Sequence, residues 1–308
     1  MKNNSIFVSV IMNCFNGEKY LDEALSSVLN QTYDNWEIIF WDNQSTDRSA
    51  EICKKYKDPR IRYFYAPTHT DLGTARIEAA KYLKGEWFTI LDTDDYWFDN
   101  NISSKINIIL SNKNIGLIYS KTVWDQSLLG KKSNTIPRGK MYDGNIFNKL
   151  IDTNFILLPG VMYNKKAFDM VGGFNKYRYC SDYDLSLRIT KKYVAKSVDI
   201  ITSVYRVHET NRFHQLGKSM YDETIMIIKN VAKDRLQKQM AKIEADYITS
   251  IIVRKQFKQA ILRLVEKITF PLLYQLIKKI FKRIYFDIFF IFYPIKLNDK
   301  NDPTKSLA

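Results

Sequence analysis

Glu86-Trp-Phe-Thr-Ile-Leu-Asp-Thr-Asp-Asp-Tyr-Trp97 decides the fold, because it joins an apolar run to an acidic one. Trp87 to Leu91 is unbroken and rich in apolar and β-branched side chains, which marks a strand buried on both faces of a parallel sheet. It runs directly into Asp92, Asp94 and Asp95. Three carboxylates at the end of a buried strand repel one another and lose hydration, so positive charge belongs among them. A divalent cation such as Mg2+ or Mn2+ meets that need, since hard cations take oxygen ligands and share them with substrate phosphates. The ends of parallel strands are also where ligands of open α/β sheets bind. The competing reading is a solvated acidic turn that caps the next helix through Asp99.

Working outward, the apolar pattern switches repeatedly between strand and helix periods. Ile6 to Met12 reads as a first strand, followed by the turn Asn13-Cys-Phe-Asn-Gly17 and a helix from Glu18 with Leu21, Ala24, Leu25, Val28 and Leu29 on one face. Lys2 before that strand gives it the look of a signal peptide, but it is too short and lacks a small-residue cleavage site. Glu37 to Trp41 is a second strand that ends at Asp42, and Ser45 and Thr46 are good N-cap types for the helix after it. A strand at Ile61 to Tyr65 and a helix at Thr74 to Lys84 lead into the acidic stretch. This rhythm predicts an α/β fold with a parallel, doubly wound sheet. Further on, helix Ile102 to Leu110, strand Gly116 to Trp124, a polar loop over Ser133 to Gly144, a bent strand at Ile156 to Tyr163 and a last strand at Val198 to Val207 are expected. Ser181 or Asp182 can cap a helix with Leu185 and Ile189 inward.

Composition narrows the function classes. The chain has 308 residues, 45% hydrophobic and 14% aromatic, enough for one large α/β domain with an appendage. Cys14, Cys53 and Cys180 show no paired spacing, which argues against a disulfide framework or a zinc cluster and for a reducing compartment. No Gly-x-Gly-x-x-Gly follows the first strand and no Gly-x-x-x-x-Gly-Lys-Ser/Thr occurs anywhere, so glycine-cradled dinucleotide and P-loop readings fail. The acidic strand ends suit a nucleotide carried by a metal instead.

The ordered motifs resemble those of the family 2 glycosyltransferases, which have the GT-A fold and use nucleotide-sugar donors. Val8-Ser-Val-Ile-Met-Asn-Cys-Phe-Asn-Gly-Glu-Lys-Tyr-Leu21 is similar to the family's opening strand and turn, and Ser27-Val-Leu-Asn-Gln-Thr-Tyr33 to the end of its first helix. Trp41-Asp-Asn-Gln-Ser-Thr-Asp47 stands where Asp-Asp-Gly-Ser-Thr-Asp is usual, and Leu91-Asp-Thr-Asp-Asp-Tyr-Trp97 resembles the metal-binding element. Val171-Gly-Gly-Phe174, Ser181-Asp-Tyr-Asp-Leu-Ser-Leu-Arg188 and Tyr205-Arg-Val-His208 resemble the acceptor-side block and closing strand. The likeness covers roughly residues 6 to 215. Departures are Cys14, Asn43, Gln44, Ile77 and Ser181, the last where Glu commonly precedes the catalytic Asp.

The resemblance implies an inverting sugar transfer from a nucleoside diphosphate, with UDP favoured, assisted by Mg2+ or Mn2+. It implies Asp95 as direct metal ligand, Asp94 on the metal or ribose, Asp92 in the turn, and His208 as a further ligand, against a plain strand-end histidine. Phe15, Asn16, Asp42 and Arg76 complete the implied donor contacts, Asp42 accepting from a uracil-type base and Arg76 reaching the diphosphate unless it forms a surface salt bridge. Asp182 is implied as catalytic base, and Asp184, on another helical face, as a structural residue. A saccharide or lipid-linked saccharide of a bacterial surface glycan is the expected acceptor. Rival readings are a nucleotidyltransferase and a non-catalytic sugar- or membrane-binding module on the same scaffold.

The formal charge is +14, and Lys229 to Lys296 carries 15 Lys/Arg against 5 Asp/Glu. This predicts a catalytic domain over 1–217 and a basic helical extension over 218–308. Phe257, Ile261, Leu264, Val265 and Ile268, then Leu273, Leu276, Ile277, Ile280, Phe281 and Ile284, form apolar stripes too short to span a bilayer. Basic amphipathic helices of this kind over 250–296 suit an anionic membrane surface, with the enzyme peripheral on the cytoplasmic face. The alternative is packing on the catalytic domain or on a second copy. Nucleic acid is excluded because the stripes are too apolar to face phosphates.

Overall fold

A computed structural model describes residues 5–111, 114–208 and 217–232. The chain divides into two compact units, Met1–Pro137 with Met141–Gln239, and Arg138–Lys140 with Met240–Ala308. The apolar stripes over 250–296 lie outside the described residues, as does 209–216. Among the described residues, no helix is long and apolar enough to cross a membrane.

The first unit is an α/β sheet with helices on both faces. β1 (Val8–Cys14), β2 (Trp36–Asp42), β3 (Ile61–Tyr65) and β4 (Trp87–Ile90) are linked by α1 (Glu18–Leu29), α2 (Ser49–Lys55) and α3 (Leu72–Ala80). These strands lie in the order β3-β2-β1-β4, all parallel, and every residue of β1, β2 and β4 is buried. Strand side chains alternate between faces. Val8, Val10 and Met12 therefore pack with α1 residues Leu21, Ala24 and Leu25, while Ile11 packs on the other side with Ala75 and Ala79 of α3.

The remaining strands are β5 (Tyr96–Trp97), β6 (Ile115–Asp125), β7 (Asn134–Ile136), β8 (Val161–Asn164) and β9 (Val194–Arg206). They continue the sheet as β4-β8-β6-β9-β5, with β7 paired to β6. Here the sheet is mixed: β8 runs antiparallel to both β4 and β6, β9 is parallel to β6, and β5 is antiparallel to β9. The expected doubly wound parallel arrangement thus holds for the first four strands, and strand reversals replace it beyond them. α4 (Ser103–Ser111), α5 (Phe147–Asp152), α6 (Lys165–Met170), α7 (Ser181–Lys192) and α8 (Gly217–Val231) complete the unit. α8 belongs to the core, with Ile227, Val231 and Ala232 buried against the same cluster as Tyr183 and Leu187 of α7.

Local signals shift at three places. α2 starts at Ser49, beyond the expected caps Ser45 and Thr46, and Asp47 Oδ1 accepts from the Ser49 amide at 3.0 Å. α4 starts four residues after Asp99, whose backbone carbonyl takes the Thr32 amide instead of a cap contact being made. α7 begins at Ser181 with no side-chain cap of its own from Cys180. Cys14, Cys53 and Cys180 are buried and unpaired, and burial pushes the Cys53 thiol up to about 12.

Candidate active site

The turns after β1, β2 and β4 meet at the C-terminal edge of the parallel strands. Asn16, at φ 53°, accepts from the Thr46 amide at 2.8 Å, while its own amide donates to Ser45 Oγ at 3.1 Å. The Gly17 amide donates to Ser49 Oγ and the Glu18 amide to Asp47 Oδ2, each at 2.9 Å. A Cβ on Gly17 would lie 2.7 Å from Thr93 Oγ1, so glycine lets the acidic turn press against the first one. Asp42 is fully buried, with Oδ1 accepting from the Ser45 amide at 2.7 Å and Oδ2 from the Tyr63 hydroxyl at 2.6 Å. Phe15 is exposed beside this turn and its ring lies 4.2 Å from that of His69. The backbone carbonyl of Asn43 accepts from His69 Nδ1 at 2.8 Å, while the Asn43 side-chain amide donates to Thr70 O at 2.7 Å and accepts from the Thr70 amide at 3.2 Å. The departure from Asp at position 43 therefore has a structural use: an amide both donates and accepts, and a carboxylate only accepts.

The three aspartates of the acidic turn face different partners. Asp92 accepts from Arg76 Nη2 at 3.1 Å. Asp94 Oδ2 lies 3.1 Å from His208 Nε2, joining the acidic turn to the end of β9. Asp95 is 1% exposed; Oδ1 accepts from the Arg206 amide at 2.9 Å and Oδ2 is buried with no hydrogen-bond partner. Burial first, and then the neighbouring Asp94 and Asp92, raise the Asp95 carboxyl well above its ordinary range. Burial also raises Asp92, against the opposing pull of Arg76.

Arg76 is the bridge across the site. It is 2% exposed, so the surface salt bridge considered from sequence does not occur. Its Nη1 donates to Ser181 Oγ at 3.0 Å and lies 3.8 Å from Asp182 Oδ1, while Nη2 reaches Asp92. Burial opposes its charge, and Asp92 and Asp182 outweigh that effect, so the guanidinium is held more firmly protonated. One guanidinium thus brings Asp182, from the start of α7, to the acidic turn. The Ser181 departure fits the same contact, because a small hydroxyl accepts where Arg76 comes closest. Asp184 faces away, accepting from Arg188 at 2.6 Å and Asn175 at 3.1 Å, while Arg188 also donates to the carbonyls of Val171 and Gly173.

Two neighbours were not singled out from sequence. Tyr205 stacks on Trp124 with ring centroids 4.7 Å apart and planes 3° from parallel. Burial, followed by the charges of Asp95, Asp94, Asp92 and Asp182, raises its phenol well above 10. Arg206 donates to Glu23 Oε2 at 2.5 Å and its guanidinium sits over Tyr20 at 4.4 Å, fixing the strand that holds Asp95. The pattern Tyr205-Arg-Val-His208 contained the signal, but a strand alternates its side chains and sequence did not show which face met the aspartates.

A divalent cation suits the donor chemistry of this edge. Among the described residues no three His, Cys, Asp or Glu groups converge as a ready-made metal cluster. Asp94 and His208 offer two adjacent donors, one carboxylate and one imidazole, and the neighbouring Asp95 keeps one buried oxygen without a partner. Mg2+ and Mn2+ commonly accept such a set, completing it with water and substrate phosphates.

The chain matches the family model described as glycosyl transferase family 2 over residues 9–172, more than half its length. It is 30% identical over 219 residues to the Escherichia coli UDP-Glc:alpha-D-GlcNAc-diphosphoundecaprenol beta-1,3-glucosyltransferase WfgD, covering 68% of this chain and 83% of that one. An uncharacterized glycosyltransferase of Haemophilus influenzae is 36% identical over 217 residues, covering 70% and 81%. In structure it resembles S. aureus TarS 1-349 in complex with UDP-GlcNAc at a TM-score of 0.59 and 18% identity, over 82% of this chain and 74% of that one. The Pyrobaculum calidifontis mannosyltransferase PcManGT, in complex with GDP-Man and Mn2+, gives 0.58 at 14% identity over 86% and 80%. The fold and the ordered motifs agree with these likenesses, and the chain belongs to glycosyltransferase family 2.

Proposed function

We propose that the protein moves a sugar from a UDP-sugar to a hydroxyl of a lipid-linked saccharide, with inversion at the anomeric carbon and with Asp182 as the base. The observation that carries this reading is the Arg76 bridge, which sets Asp182 beside the acidic turn. Asp182 keeps a quarter of its side chain exposed, so it can meet an incoming hydroxyl. The hydroxyl loses its proton to Asp182 Oδ as its oxygen attacks, and the nucleoside diphosphate departs from the opposite side. With a single base and no enzyme nucleophile, the anomeric configuration inverts. A positioned base contributes about 10²- to 10⁴-fold.

On the donor side, Phe15 offers a ring face for the base and Asn16 fixes the turn beside it, while Asp42, closed in by Ser45 and Tyr63, shapes that turn from beneath. Asp94, His208 and Asp95 would hold Mg2+ or Mn2+. A bound cation supplies neutralisation of the charge that grows on the leaving diphosphate. Arg76 adds a fixed positive charge behind Asp92 and Asp182.

Relatives support the acceptor class: WfgD and WfaP, both of Escherichia coli, are named as glucosyltransferases acting on GlcNAc-diphosphoundecaprenol. An acceptor on lipid would also account for the basic apolar stripes over 250–296, which suit the anionic cytoplasmic face of a membrane. Flotation of the full chain with anionic against zwitterionic vesicles tests that part, equal flotation counting against it.

The function itself is tested by screening UDP-, GDP- and CMP-sugars for release of nucleotide, with Mn2+ and with EDTA. Metal-dependent release of UDP is expected. Release of pyrophosphate would point to a nucleotidyltransferase, and no turnover with any donor to a binding module. Asp182→Asn should keep donor affinity and lose turnover by about 10²- to 10⁴-fold; near-normal turnover would remove Asp182 from the role of base.

A further inference from the structure

α8 begins twenty-five positions after α7 ends, yet it fixes the segment that leads into α7. Glu223 of α8 accepts from three consecutive backbone amides: Oε1 from Arg178 at 2.6 Å, and Oε2 from Tyr179 and from Cys180, both at 2.7 Å. Successive amides of this kind form a concave anion site, and bonds from a carboxylate to such donors are the short, strong type. Cys180 offers no side-chain cap to the first turn of α7, and Glu223 instead fixes the three residues that lead into that turn.

The same segment is fixed from its other side. A Cβ on Gly73, in α3, would lie 2.0 Å from the Tyr177 carbonyl, and Asn230 of α8 donates to the Tyr177 hydroxyl at 3.0 Å. At the far end of α7, Lys191 donates to the Val231 carbonyl at 2.6 Å. Ser181 and Asp182, the next two residues after the Glu223 site, are those that meet Arg76. The path from α8 to the acidic turn is therefore Glu223, the amides of 178–180, Asp182 and Arg76, with no loop of free chain in between.

We propose that Glu223 is a positioning residue for the transfer reaction, holding the first turn of α7 so that Asp182 faces the acceptor hydroxyl. This rests on the assignment of Asp182 as base. It makes α8, the helix that leads into the basic C-terminal region, part of the catalytic apparatus. A displacement of about 1 Å in a reacting group can cost about 100-fold, so the anchor governs rate more than donor binding.

The test uses the full chain and whichever of UDP-glucose, UDP-N-acetylglucosamine and UDP-galactose the wild type hydrolyses with Mn2+. UDP release is normalised to donor-binding stoichiometry measured by calorimetry, which removes any loss of folded protein. Glu223→Ala is expected to lower kcat tenfold or more with donor KM within twofold, and Glu223→Gln, which keeps one acceptor oxygen, to recover part of the loss. In the Asp182→Asn background, Glu223→Ala should add little, because the base it positions is already gone. Unchanged normalised kcat in Glu223→Ala, or losses that simply multiply in the double variant, would overturn the proposal. Asp182→Asn measured alone separates the two ideas: normal turnover there defeats the base assignment, whereas an inactive Asp182→Asn beside an unimpaired Glu223→Ala defeats only the positioning role.

Discussion

In the parallel half of the sheet β1, β2 and β4 are buried along their whole length, whereas in the mixed half β9 is exposed at Asp199, Ile200 and Ile201. The β6·β9 ladder also shifts register at Ile115/Leu117, Ser120/Lys121 and Lys121/Thr122, while the β1 ladders run unbroken. Irregular ladders re-aim side chains and gather beside active sites. The difference teaches how labour is divided: the regular half holds three turns rigidly against one another, and the irregular half brings Tyr205, Arg206, His208 and α7 to meet them. Beyond the β4·β8 pairing and the Arg206–Glu23 contact, the halves meet along a seam at Arg76, Gly73 and the turn after β4.

Cutting that seam should have the largest effect. Arg76→Met leaves the partly buried Asp92 and Asp182 without their cation, and breaking a buried pair costs about 3–5 kcal/mol, an upper figure for carboxylates that keep a quarter of their surface in water. Urea denaturation should show the midpoint falling at constant slope, and an unchanged midpoint would mean that the carboxylates find other partners. Gly73→Ala tests the seam from its other side. The added Cβ meets a backbone carbonyl and cannot be relieved by a rotamer change, so about 1–3 kcal/mol is expected by the same measurement. If Gly73→Ala unfolds at the wild-type midpoint, the halves are less tightly joined than their contacts suggest.

The mixed half also carries a buried cation of a different kind. Lys105 is fully buried on α4 and, among the described residues, donates to oxygens of Asn101, the residue that also donates to the carbonyls of Pro159 and Thr202. Burial lowers its ammonium from 10.5 to about 7. Between those values the unfolded chain holds a proton that the folded chain has released, so stability rises with pH across that window. The slope from this one group is at most about 1.4 kcal/mol per pH unit. Lys105→Met should flatten the rise, as read from melting temperature between pH 7 and 9; a slope that survives would belong to other groups. The smallest effect is expected at the outer face of the parallel half. Glu78→Gln removes an exposed partner of Lys81 and should shift stability by less than about 1 kcal/mol.

The regular half was legible because burial on both faces writes itself as an uninterrupted apolar run, as in Trp87 to Leu91, and because Asp42, Asp92, Asp94 and Asp95 stand directly at strand ends. The mixed half was less so. Nothing in Val161 to Tyr163 tells an antiparallel neighbour of β4 from a parallel one, since strand direction depends on the path of the chain and not on the side chains. Contacts over long separations were equally hidden. Arg76 lies 105 residues from Ser181 and Glu223 lies 43 from Cys180, so no local pattern announces either bond. Asp184 was readable as structural from helical spacing alone, and its clasp on Arg188 agrees with that spacing.

The three cysteines have a practical consequence. Each thiol is shut away from solvent and kept protonated, so the folded enzyme should ignore maleimides and iodoacetamide at neutral pH. That silence gives a dark background: a cysteine introduced at an open position such as Ser127 could carry a single dye without first stripping the native ones.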